Sequence, residues 1–225
     1  MKLNFTDKKL SWGAKLSDYK NYFTDNSITY VGIELEEDIE PPMNYHSIDH
    51  HNKRSAEPAS IEQLALLLNI KLNRYQQLVA ANDKGYIPAM KAMEATREEI
   101  AMVRRADRQA QGVTEEMEQI AEKEIQNTEN KNGITVLKTI LKKFSPIVDR
   151  LETDKLIVYN EETLNYYGKN ASKLNLLFKN LVDEKKAYSG GNDNGFWGIA
   201  AGHFTKKEVE EIMGKIVFEI GNDES

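Results

Sequence analysis

The chain has 225 residues, 40% hydrophobic and 29% charged, with a formal net charge of −6 and no cysteine. The missing thiols exclude disulfides, zinc–thiolate sites and cysteine nucleophiles, so any metal must sit on nitrogen and oxygen ligands; the acidic balance argues against tight binding of long nucleic acid, which needs a basic footprint. No stretch approaches the roughly 18 consecutive apolar residues of a membrane span, and the opening MKLNFTDKK lacks the apolar run of a secretory signal, so no membrane contact and a cytoplasmic location are expected.

Taken in chain order, residues 2–5 (KLNF) read as a short strand and residues 14–23 as a helix. The β-branched and aromatic run SITYVGIEL, 27–35, reads as a buried strand. It leads into the acidic EEDIEPP, whose double proline stops any regular element. A brief strand, YHSI, then delivers Asp49, His50 and His51 at its carboxyl end. Helical signals follow: Ser60-Ile61-Glu62-Gln63 has capping-box spacing before a Leu64, Leu67, Leu68 stripe, and Thr96-Arg97-Glu98-Glu99 repeats it. AANDKGYIPAM breaks the helix between them at Gly85 and Pro88, with Asp83 at the preceding end. A further helix is expected over 114–126, and the polar NTENKNG, 127–133, reads as a linker. Beyond it, ITVLKTI and KLIVYN read as strands, 171–183 as a helix, and KKAYSGGNDNGFWGIAAG as two strands around a glycine-rich turn. A capped helix opens at Thr205.

The expected fold is therefore α/β: a parallel-sheet amino-terminal lobe with a helical connection over 1–130 and a smaller α/β carboxyl-terminal lobe over 131–225. Ligands of open α/β sheets sit at the carboxyl ends of strands, where neighbouring side chains converge. His46, His50 and His51 stand within six residues, with Asp49 among them. A neutral imidazole binds a divalent ion through one nitrogen and needs a partner on the other, a task that a carboxylate performs well. Solvated turn residues are the competing reading.

SIDHHN resembles the signature of the DHH phosphoesterase superfamily, and AANDKGYIPAM is similar to that family's later motif, in which an aspartate at a helix end completes a metal cluster. The likeness is closer over 27–126 and looser from Gly133 onward. The resemblance implies metal-dependent hydrolysis of a small phosphorylated substrate: a phosphodiester, phosphomonoester or phosphoanhydride such as a short oligonucleotide, cyclic dinucleotide or polyphosphate. Manganese, as a pair of ions when the cluster is complete, is the implied cofactor, with magnesium or iron as substitutes. It makes Asp49, His50 and His51 the catalytic group and His50, His51 and Asp83 metal contacts. The family's opening histidine and Asp-x-Asp pair have no counterpart in the first 45 residues. Asp7 and Glu34, or Glu36, stand as substitutes; a single-ion centre and a non-catalytic relative that binds a nucleotide-like ligand or a protein partner are the alternatives.

Lys53 and Arg54, directly after the histidines, are placed to receive an anion. Gly190 and Gly191 read either as an anion-binding loop or as a hairpin turn, which Asn194-Gly195 also signals, and the resemblance implies His203 downstream as the histidine that contacts a substrate phosphate. Arg104 and Arg108 share a helix face, where surface pairing with Glu99 or Glu115 is expected, and Trp12 and Trp197 read as core or lobe-interface residues. Self-association stays open.

Overall fold

The protein is mixed α/β, and its computed structural model describes residues 13–191 and 194–221. The 2–5 strand, Asp7 and Trp12 lie outside the described residues. The chain divides into two compact units, residues 1–105 and 106–225.

In the first unit, strands β1 (Tyr30–Ile33) and β2 (Tyr45–Ile48) run parallel, with Tyr30 opposite Tyr45 and Ile33 opposite Ile48; β1 is shorter than the expected 27–35 strand and is not the buried strand its composition suggests, since Val31 and Ile33 are exposed. Gly32 admits the Tyr45 ring: a Cβ there would lie 2.0 Å from the phenol oxygen. Residues 34–44 make the crossover, and their acids are not simply solvated. Asp38 accepts the Ser17 amide at 2.9 Å and its hydroxyl at 2.6 Å. These hydrogen bonds hold the Asp38 carboxyl below the usual carboxylate range. The helix expected over 14–23 is instead the 3-10 stretch Leu16–Tyr22, because the backbone just before it is committed to the crossover: Glu36 donates to Ala14 O and accepts from Leu16 N.

Three helices follow, α1 (Ser60–Leu67), α2 (Arg74–Ala92) and α3 (Arg97–Ala110). Leu78, Met90 and Val103 bury against one another. The expected break in α2 is present at Gly85 and Tyr86, the latter at φ 59°, ahead of Pro88, which cannot sit in an unbroken helix. The expected Leu64–Leu67–Leu68 stripe is not what α1 buries. Ser60 and Ala65 are its buried residues, Leu64 and Leu68 are half-buried and Leu67 is exposed.

The second unit contains α4 (Glu115–Glu124), β3 (Glu129–Lys131), β4 (Ile134–Lys138), α5 (Ser145–Val148), β5 (Lys155–Tyr159), β6 (Leu164–Gly168), α6 (Ala171–Leu177), α7 (Lys179–Asp183), β7 (Ala187–Gly190), β8 (Phe196–Ile199) and α8 (Lys206–Gly221). One six-stranded sheet has the order β3-β4-β5-β6-β8-β7, with only β4 and β5 parallel. All five β5 residues are buried, as expected of a central strand covered on both faces. Ile157, Tyr166 and Trp197 pack with Leu174, Val209 and Ile216 on one side; Leu137, Leu156 and Val158 pack with Ala121 and Ile147 on the other. The expected linker at 127–133 is a 3-10 turn and the edge strand β3, its polarity reflecting an exposed edge. The helix expected over 171–183 breaks at Phe178, whose ring stacks on Trp197 at 4.8 Å.

The arginines depart from surface pairing. Arg108 is buried and grips Glu118 at 2.7 and 3.0 Å and also Asp149, while Arg150 reaches Glu118 at 2.6 Å. Burial pushes the Glu118 carboxyl up, but the hydrogen bonds and charges of Arg108 and Arg150 outweigh it and hold it below its usual range. Arg104 is buried too, lying 3.8 Å over the Tyr86 ring and donating to the Tyr86 hydroxyl and Asn82. Glu99 pairs with Arg74 at 3.0 Å. No helix among the described residues is long and apolar enough to cross a membrane.

Candidate metal centre

The parallel pairing of β1 and β2 sets their carboxyl ends side by side, so Glu34 and the 49–51 segment emerge together. Glu34 N donates to Ile48 O at 2.8 Å, and Glu34 then turns sharply at φ 54°. This left-handed conformation costs a residue with a Cβ on the order of 1–2 kcal/mol. Strain of this kind persists where the surroundings over-determine it, and it collects at functional sites. Asn52, directly after His51, shares the left-handed region at φ 51°.

His50 is the centre's buried member, its side chain only 5% exposed. Its Nδ1 lies 3.1 Å from Ser60 Oγ and 3.3 Å from Glu34 Oε1. On the opposite edge of the ring, Nε2 lies 3.4 Å from Asp83 Oδ2. The His51 ring lies 4.3 Å from that of His50. Glu34, His50 and His51 each offer a ligand atom, all within 4.8 Å of one another; among the described residues no other group of His and acidic side chains comes so close.

Asp49 accepts both the His51 amide at 2.9 Å and, at 3.1 Å, the His51 ring Nδ1. Partial burial pushes its carboxyl up, but the two His51 hydrogen bonds, helped by the His51 and Arg54 charges, outweigh it and hold it below the usual range. Asp49 therefore orients His51 through its Nδ1 edge. With 44% of its side chain exposed, His51 is reachable from solvent.

The donor set fits a divalent cation of the manganese, magnesium or iron class: imidazole nitrogens and carboxylate oxygens without sulfur. Ligands of one ion at about 2.0–2.2 Å stand roughly 3–3.5 Å apart, the spacing of His50 from Glu34 and from Asp83. The two carboxylates bracket the His50 ring on opposite edges, so one imidazole nitrogen takes an ion and the other is left for an orienting partner.

The remaining candidates are placed as follows. Arg54 donates to Ser47 Oγ at 2.6 Å and lies 3.6 Å from Glu37, committed to the protein, whereas Lys53 is exposed. Lys84 holds the loop after the histidines through the carbonyls of Ser55 and Glu57, at 2.7 and 2.6 Å. His46 is exposed on β2, paired with Val31 rather than gathered with the other histidines. In the second unit, Gly190 ends β7 and Gly191 starts its turn at φ 80°, making a hairpin with β8, and His203 is exposed in the turn before α8.

Ser60 is the residue that sequence reasoning missed. Its capping-box position suggested a helix cap, but the cap bond runs from Ala59 N–H to Glu62 Oε2 at 2.9 Å, and the Ser60 hydroxyl donates to Glu34 Oε1 at 2.8 Å. The signal available was its position opening the helix after the histidine pair. No family model matches the chain, and no curated protein sequence is significantly similar to it.

Proposed function

We propose that the centre binds a divalent cation, manganese in the first place, and that the protein hydrolyses a small phosphorylated substrate in the manner of the DHH phosphoesterases that SIDHHN resembles. One observation carries this reading: Glu34, His50, His51 and Asp83, far apart in sequence, gather at the carboxyl ends of two parallel strands. The bound ion would lower the pKa of a water and neutralise charge on the phosphoryl oxygens. His50 and Asp83 would hold the cation, with Glu34 on the other edge of the His50 ring; the exposed His51, oriented by Asp49, would contact a phosphoryl oxygen, and Lys53, two residues on, supplies exposed positive charge. Among the described residues one such group of His and acidic side chains is gathered, which favours a single ion.

Metal content after incubation with manganese, measured together with hydrolysis of short oligonucleotides, cyclic dinucleotides and polyphosphate, tests the proposal. The expected result is about one bound ion and manganese-dependent turnover that His51→Ala reduces at least tenfold. Manganese binding without turnover of any substrate points to the non-catalytic relative, and absence of binding at micromolar manganese overturns both readings.

A further inference from the structure

The geometry points to Ser60 as the positioning residue that fixes the tautomer of His50 and thereby selects which edge of its ring takes the cation. A serine hydroxyl carries one proton, and carboxylates only accept. Because Ser60 gives its proton to Glu34 Oε1 at 2.8 Å, its lone pairs are what face His50 Nδ1 at 3.1 Å. Glu34 Oε1, 3.3 Å from the same nitrogen, stands just outside hydrogen-bond range and adds negative charge on that edge. The proton of a neutral His50 ring thus belongs on Nδ1, and a chain runs from the imidazole N–H through the Ser60 hydroxyl to the Glu34 carboxylate.

Nε2 is then the bare nitrogen, facing Asp83 Oδ2 at 3.4 Å. That distance exceeds the roughly 2.7–3.2 Å of an N–H···O bond and suits two ligands of one ion. The cation belongs on this edge, with Asp83 as co-ligand and Glu34 anchoring the chain behind the ring. Ser60, buried at 6% exposure on the first turn of α1, is held there by helix docking rather than by solvent.

The cation-affinity part of this inference rests on the metal reading above; the tautomer part does not. Long-range proton–nitrogen NMR of histidine-labelled, metal-free protein at alkaline pH, with His50 assigned through His50→Gln, reads the tautomer directly. The proton is expected on Nδ1. Ser60→Ala is expected to lose that preference and to weaken manganese binding about tenfold to a hundredfold, while Ser60→Thr, which keeps the hydroxyl, restores both. A proton on Nε2 in the unsubstituted protein overturns the inference, as does Ser60→Ala that leaves tautomer and affinity unchanged. If Ser60→Ala fails to fold, the tautomer of the unsubstituted protein decides. A proton on Nδ1 in protein that binds no manganese upholds the Ser60 chain and removes the metal reading alone.

Discussion

At the scale of single residues, Glu34 is held against its local preference. Glu34 adopts a left-handed backbone that glycine would take more readily. Glu34→Gly relieves that strain but removes the carboxylate and its hydrogen bond from Ser60. Stability is therefore expected to stay within about 1 kcal/mol, while cation affinity falls at least tenfold; denaturant unfolding and equilibrium dialysis measure the two separately. Arg108 and Glu118 show the opposite balance, because both are buried. Glu118→Gln leaves the charge of Arg108 shared with Asp149 alone, and breaking a buried pair costs about 3–5 kcal/mol, to be read as a lower denaturation midpoint at unchanged slope.

At the scale of elements, helix ends and breaks do the positioning. The Glu62 carboxylate caps α1 through the Ala59 amide, which frees the Ser60 hydroxyl for the centre. Glu62→Ala is expected to cost about 1 kcal/mol of stability and to weaken cation binding as well, since Ser60 rides on that first turn. The break in α2 at Gly85 and Tyr86 ends its first segment just after Asp83, and Arg104 packs over Tyr86 from α3. In the second unit, Phe178 joins α6 to α7 and its buried ring stacks on Trp197. Phe178→Ala is expected to cost about 3–5 kcal/mol, visible in thermal unfolding as a lower midpoint.

At the scale of the whole molecule, charge sets the response to pH. Asp25 and Asp38, by hydrogen bonds from Ser27 and Ser17, Glu99, by those from Arg74 and Thr96, and Glu208, by those from Thr205, are held below their usual ranges. Glu118 is held low as well, its arginine partners outweighing burial. A depressed folded-state pKa contributes stability that is present above the unfolded value, about 4.3 for Glu, and is lost as pH falls through the lower folded value. The melting temperature is therefore expected to hold near neutral pH and to fall below about pH 4.5, with a shallower acid limb in Glu118→Gln.

The sequence alone determined the α/β class, the strands at 30–33 and 45–48, the break before Pro88 and the histidine pair, because alternation, proline chemistry and short motifs act over a few residues. Hairpin formation at the glycine-rich turn was likewise written in Asn194-Gly195. What only the tertiary structure decided was which distant groups meet. The parallel register brought Glu34 beside His50, α1 docking turned a capping serine into their link, and the break in α2 aimed Asp83 at the other ring nitrogen. Burial likewise converted Arg104 and Arg108 from expected surface residues into internal ones, since a helix face carries no label for what will pack on it.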